Sequence, residues 1–245
     1  HRDELNANIN NTTSERFMIL QTAIRSGSLK KVESVIRLLL LPGHEGSLRK
    51  NLINTTTDSY TTIACAFGND SPEAVAIAKR ILELFTESQN ENILLDILDI
   101  PTKERSHFLQ LALVTCNVEM VQLALNFLTK NHDLLKWCLG YRTNYGYRVL
   151  HEAYRSKNPN IIEKIANLLL LPEHREQLIL NLENKTESGY TCLDDVLKIQ
   201  DPEIFQDYIN MAEKYLPRAK WQEILHSKED GHNNLQFVVN SGNIE

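Results

Sequence analysis

The chain has 245 residues, 42% hydrophobic and 24% charged, with only 9 Gly and 7 Pro and a formal net charge of −6. That length is enough to bury a sizeable core, and the scarcity of Gly and Pro favours helices over a turn-rich β fold. The acidic balance argues against nucleic acid, which needs a basic face to release counterions, and no apolar run reaches the length of a membrane span.

In chain order, residues 1–13 are polar and Asn-rich and read as a flexible leader. From there a long period sets in. Comparable anchor positions are Leu20, Ile63, Leu109, Leu150, Leu193 and Leu235, at spacings of 43, 46, 41, 43 and 42 residues. Three residues past each anchor stands Ala23, Ala66, Ala112, Ala153, Val196 or Val238, small enough for a neighbouring helix to approach closely. Eight residues past each anchor stands Ser28, Ser71, Asn117, Asn158, Asp201 or Asn243, all N-cap types. Pro72, Pro159 and Pro202 follow three of them, where a missing N–H costs nothing. Apolar residues at helical spacing come next, as in Val32, Val35, Ile36 and Leu39.

Each unit thus predicts a turn, a first helix, a short turn and a second helix. Leu or Ile at i, i+4 spacing then predicts a short third helix, in residues 44–53, 174–182 and 219–225. The near-copies Leu38-Leu39-Leu40-Leu41-Pro42 and Leu168-Leu169-Leu170-Leu171-Pro172 close the second helix of two units. They could suggest a membrane-binding helix, but their recurrence at one phase reads as packed core. The repeats run 14–57, 58–103, 104–143, 144–187 and 188–228, with a partial sixth at 229–245, forming one continuous domain. The chain stops where another helix would begin, which reads as a cut from a longer protein.

Gly146, Gly189 and Gly231 precede first helices, and Gly146-Tyr147-Arg148-Val149-Leu150-His151-Glu152-Ala153 keeps the Gly, Leu, His and Ala of the ankyrin pattern G-x-T-P-L-H-x-A. Gly189-Tyr190-Thr191-Cys192-Leu193 keeps Gly, Thr and Leu. The chain therefore resembles a degenerate ankyrin-repeat protein, although no T-P-L-H is intact and the period exceeds the ankyrin 33. The implied fold is all-α: an ankyrin-like helical solenoid of about five and a half units, period 41–46, many with a third short helix. HEAT or armadillo stacking is the structural rival. Elongated units of this kind resemble those of effectors of intracellular bacterial pathogens, which implies secretion from a bacterium into the host cytosol and a host protein as partner.

No chemistry is expected. The sequence has no H-E-x-x-H, Walker A, G-x-G-x-x-G or G-x-S-x-G motif. His151-Glu152 begins like a zincin, but Arg155 holds the second His position, so His151 reads as a structural histidine bonding the turn backbone. Cys65, Cys116, Cys138 and Cys192 form no C-x-x-C pair. They read as free, mostly buried thiols in a reducing, cytoplasmic compartment. Asp194-Asp195 and Glu229-Asp230 read as solvated turn residues, poor acid/base pairs because adjacent helical residues do not share a face. N-x-T matches at Asn10, Asn11, Asn54 and Asn184 would matter only on a secretory route. No catalytic residue, metal or cofactor is assigned.

A partner should meet the turns and the exposed side of the first helices, because solenoids bind through surfaces built from one position in successive units. Three residues before each anchor stands Phe17, Tyr60, Ser106, Tyr147, Tyr190 or His232. Candidate contact residues are Tyr60, Tyr145, Tyr147, Arg148, Tyr154, Arg155 and Tyr190, richest in the fourth unit. The alternative is that the rings pack on the next turn and stiffen the stack. The expected function is a monomeric, non-enzymatic protein-interaction module. Its rivals are the substrate-recognition part of a larger enzyme and an adaptor that stacks on its own copies.

Overall fold

The computed structural model describes residues 8–86, 97, 100, 102, 107–229, 232 and 233, and its contacts divide the chain into two compact units, His1–Asn126 and Phe127–Glu245. In the first lie α1 (Ile19–Arg25), α2 (Leu29–Leu39), α3 (Glu45–Ile53), α4 (Thr62–Phe67), α5 (Ala74–Thr86) and α6 (Phe108–Val114). Helix α7 (Val118–Leu128) carries the chain across the boundary. The second holds α8 (His132–Gly140), α9 (Val149–Arg155), α10 (Pro159–Leu169), a 3-10 turn (Pro172–His174), α11 (Arg175–Leu182), α12 (Cys192–Leu197), α13 (Pro202–Tyr215) and α14 (Arg218–Leu225). A short antiparallel pairing of β1 (Lys228–Glu229) with β2 (His232–Asn233) follows. The fold is all-α and ankyrin-like. Beyond Glu229, His232 and Asn233 the sixth repeat, with Leu235, Val238 and Asn243, lies outside the described residues, as do Ser106 and Gly231.

The period is built into the core. Leu20, Ile63, Leu109, Leu150 and Leu193 are all at most 1% exposed. Each sits in a short first helix one turn before Ala23, Ala66, Ala112, Ala153 or Val196, which are also buried. Burying such a side chain is worth about 1.5–3 kcal/mol. The second helices bury one stripe: Val32, Ile36 and Leu39 in α2, and Ile161, Ile162, Ile165 and Leu169 in α10. Third helices form as expected at α3, α11 and α14, and α8 supplies one in the third unit.

Four turns repeat one hydrogen-bond pattern. In Thr13–Phe17, Thr56–Tyr60, Thr143–Tyr147 and Thr186–Tyr190 the Thr N–H donates to the carbonyl four residues on, at 2.8–3.1 Å. The Thr Oγ1 accepts the N–H of that same aromatic residue at 3.0–3.1 Å. Closing so tight a loop needs a left-handed residue before the ring, and Gly146 and Gly189 supply it at φ +87°. In the first two repeats Arg16 (+63°) and Ser59 (+60°) adopt the same conformation at the cost of a Cβ clash. The Gly expected at this position is therefore one solution among several.

In the first and fourth repeats the turns are clamped by two asparagines each. Asn51 Oδ1 accepts the Leu20 N–H at 3.1 Å, and Asn181 Oδ1 accepts the Leu150 N–H at 3.0 Å. Asn51 Nδ2 donates back to Ser47, and Asn181 Nδ2 to Gln177 and Leu139. Three residues on, Asn54 Nδ2 donates to the Arg16 carbonyl and Asn184 Nδ2 to the Gly146 carbonyl, both at 2.7 Å. Two of the N-x-T matches thus carry structural asparagines whose amide nitrogens are already engaged.

Four expectations are corrected. Asn117, Asn158 and Asp201 cap their helices through the side chain, but Ser28 and Ser71 do not. The first N–H of that helix, on Leu29, is held by Glu73 Oε2 of the following repeat, at 2.8 Å. Pro72 lies in a turn before α5 rather than in its first position. Residues 8–13 are not a loose leader: Ile9 is buried, Asn10 Nδ2 donates to Ser47 Oγ, and Thr13 opens the first turn. The leucine runs are only partly core. Leu39 and Leu169 are buried, whereas Leu40 (46% exposed), Leu41 (47%), Leu170 (39%) and Leu171 (41%) face outward.

Candidate functional site

In the second unit the turn before α9 and the turn before α12 present rings held by cations from their own helices. The Arg155 guanidinium lies 4.2 Å from the Tyr147 ring centre, and Lys198 Nζ lies 4.2 Å from that of Tyr190. In the first unit Arg25 stands over Phe17 at 5.0 Å. Each cation follows its ring by eight residues, two helical turns past a residue at the helix entry. Such a contact is worth about 0.5–1 kcal/mol at an exposed site. Tyr60 has Gly68 at the matching position.

The seven expected contact residues divide by burial. Tyr145 is 57% exposed, and its carbonyl accepts the Glu187 N–H of the next turn, which fixes the backbone while the ring stands free of the core. Arg155 is exposed and pairs with Glu152 at 3.5 Å, and burial raises the Glu152 carboxyl against the pull of that guanidinium. Arg148 is half-buried and donates from Nε to Asn184 Oδ1 at 3.2 Å, which ties it to the clamp. Burial, followed by the like charge of Arg142, holds its pKa down. Tyr147 and Tyr190 are half-buried, and Tyr147 meets the His151 ring edge-on at 5.9 Å. Tyr154 is 2% exposed and packs edge-on against Tyr208 at 5.8 Å. It points from α9 into the core and is not available on the turn edge. Tyr60 belongs to a separate hollow of the first unit, of ≈ 450 Å³, shared with Phe17, Arg25, Asp58 and Asn69.

A second hollow of ≈ 440 Å³ was not anticipated. It joins Arg148 to Arg142 and to Trp137 and Tyr141, whose ring centres are 5.1 Å apart. Trp137 and Tyr141 stand four residues apart at the end of a third helix, a spacing that places them on one face. That spacing was the available signal.

Beneath the turn edge lies a buried Cys–His pair. Cys192 Sγ is 3.1 Å from His151 Nδ1, and both residues are 0% exposed. Burial lowers the His151 pKa to about 3, and the Tyr190 carbonyl only partly offsets it; Nε2 itself has no hydrogen bond of good geometry. Burial, reinforced by Asp195 and Asp194, raises the Cys192 thiol well above its ordinary range. The pair is a neutral thiol against a neutral imidazole, the reverse of an activated nucleophile. Asp194 and Asp195 are not solvated either, at 3% and 8% exposure. Asp194 accepts the Thr191 N–H and hydroxyl as a capping box. Burial pushes the Asp195 carboxyl up to about 7 despite Arg155 and Lys198. Glu229-Asp230 lies outside the described side chains. Among the described residues no His, Cys, Asp and Glu gather as metal ligands, and no helix is long and apolar enough to cross a membrane.

No family model and no curated protein matches the chain in sequence. Solved structures do match its fold. One is a structure of the predatory endopeptidase Bd0816 from Bdellovibrio bacteriovorus in complex with immunity protein Bd3460, at 17% identity and TM-score 0.56 over 85% of this chain and 90% of that one. Another is EF0377, an ankyrin repeat protein, at 15% identity and TM-score 0.54 over 92% of each chain. At these identities the likeness concerns the fold.

Proposed function

We propose that the chain is a non-enzymatic protein-binding module whose partner docks on the turn edge of the second unit. One observation supports this above others: exposed Tyr145 stands beside two ring–cation pairs, Tyr147–Arg155 and Tyr190–Lys198, on a backbone fixed by turn-to-turn hydrogen bonds. Rigid aromatic and guanidinium groups are the residue types that dominate interface energetics, and preordering them lowers the entropy cost of association. The resemblance of the elongated repeats to those of bacterial effectors makes a host cytosolic protein the proposed partner. One fold neighbour comes from a complex of an endopeptidase with an immunity protein, so an enzyme is among the partners worth scoring.

The test is affinity capture from host-cell lysate with the wild-type chain and with Tyr145→Ala/Arg155→Ala. Tyr145 rather than Tyr147 is substituted because Tyr147 also packs on His151. Proteins enriched by the wild type should be lost with the variant, while the melting temperature moves by no more than about 4 °C. Equal capture by both chains, or none by either, overturns the assignment.

A further inference from the structure

The second unit carries another exposed feature, away from its turns. Helices α10 and α13 flank a groove of ≈ 540 Å³. Its floor is apolar, with Ile162 and Met211 each 6% exposed and Tyr154 beneath them, and Leu170 stands 39% exposed at one end. The rim is acidic: Glu163, Glu203 and Asp207 are all exposed, against a single lysine, Lys214.

The first unit shows how such a pair of helices closes. There Glu33 of α2 meets Arg80 of α5 at 3.1 Å, which bridges the two second helices. Glu33 and Glu163 both stand 13 residues past their anchors. The counterpart of Arg80, 17 past its anchor, is Asn210. Asn210 is occupied within its own helix, accepting from Gln206 Nε2 at 3.0 Å. The carboxylate of Glu163 therefore has no bridging cation across the groove.

We propose that the α10–α13 groove is a second docking surface, which takes a basic amphipathic helix of a protein partner. An apolar trough with a rim of one charge fits a helix that carries leucine-type anchors at i, i+3, i+4 and i+7 and lysine or arginine on its flanks. Helices α10 (11 residues) and α13 (14 residues) run about 16 and 21 Å at 1.5 Å per residue, so about three turns of a partner helix lie along them. The partner's cation takes the place that Arg80 fills in the first unit. Tyr154, expected on the turn edge, contributes here from below.

The test uses three synthetic 18-residue peptides and fluorescence anisotropy: a Leu/Lys amphipathic helix, its composition-matched scramble, and a Leu/Glu helix of the same pattern. The Leu/Lys helix should bind the wild type at least about ten-fold tighter than the other two. Ala166→Arg, which fills the trough, should abolish that binding. Glu163→Lys/Asp207→Lys should weaken it about five- to ten-fold, as expected for two exposed ion pairs, and admit the Leu/Glu helix. Tyr145→Ala/Arg155→Ala should leave all three affinities unchanged, which separates this surface from the turn edge. Leu/Lys binding no tighter than the scramble, or unaltered by Ala166→Arg in a chain with wild-type melting, overturns the proposal.

Discussion

Cys192 Sγ and His151 Nδ1 are 3.1 Å apart, a separation at which a cysteine hydrolase would hold its nucleophile and base, yet here neither atom reaches solvent. Distance alone does not make a dyad. Activation needs a thiolate–imidazolium state, and the core around these residues disfavours both charges. Cys192 should accordingly resist iodoacetamide in the native protein, whereas exposed Cys116 is alkylated readily. Peptide mass spectrometry after brief labelling with and without urea checks this. Native labelling of Cys192 as fast as of Cys116 would show that the core opens.

The same cluster makes stability depend on pH with two opposite signs. The fold refuses His151 the proton that the unfolded chain accepts below 6.5, so this contribution is present above pH 6.5 and is lost as pH falls toward about 3. Asp195 is held protonated up to about 7, far above its ordinary 3.8. Its contribution is present at acid pH and is lost as pH rises from about 4 through 7. Urea melts should show the wild type losing ground to Asp195→Asn as pH rises across that window. It should lose ground to His151→Gln as pH falls below 6.5. Each slope has a ceiling of about 1.4 kcal/mol per pH unit. Parallel curves for all three chains would count against both shifts.

Gly146 and Gly189 share a φ of +87° but differ in surroundings. A Cβ on Gly146 would lie 2.7 Å from Thr186 Cα, whereas one on Gly189 meets nothing within 4 Å. Gly189→Ala should cost only the left-handed strain, about 1–2 kcal/mol. Gly146→Ala should cost more than that, because the clash is with backbone. Equal losses in denaturant melts would mean that the stacked turns separate easily.

Asn181 serves three backbone groups from one amide: Leu150 N–H, Leu139 C=O and Gln177 C=O. Asn181→Ala strands them in a buried site, at about 1–3 kcal/mol for each group left unpaired. The loss should exceed that of any exposed substitution on the turn edge. A change below about 1 kcal/mol would mean that the clamp is dispensable.

In the leucine runs, Leu39→Ala should cost about 2–5 kcal/mol, while Leu40→Ala should stay within about 0.5 kcal/mol. Similar costs at the two positions would place Leu40 in the core.

The apolar framework was legible in the sequence because it repeats at one position per unit, as Leu20, Ile63, Leu109, Leu150 and Leu193 do. The leucine runs mislead for a geometric reason: only the first two leucines of each run lie in the helix, and Leu40, Leu41, Leu170 and Leu171 follow its end, beyond the buried stripe. The polar frame was missed because hydrophobic periodicity does not report it. Asn51-Leu52-Ile53-Asn54-Thr55-Thr56 and Asn181-Leu182-Glu183-Asn184-Lys185-Thr186 keep both asparagines and the threonine in register, and superposing them would have exposed the clamp. The turn edge was legible as a row of rings, but the partition of its members was not. Tyr145 and Tyr154 are nine residues apart in one repeat, and only packing separates a ring at the surface from one in the core.

The bonds from Thr57 N–H to the Glu15 carbonyl and from Glu187 N–H to the Tyr145 carbonyl run between main-chain atoms. The lettering at the tips of these turns is thereby uncoupled from their spacing. Residues 15, 57, 145 and 187 can be exchanged for other side chains without unfastening the layers they join. If the turn edge is the docking surface proposed above, a lineage built on this frame can change its partner by point substitution, and an engineer can randomise those four positions as a library on an unaltered scaffold.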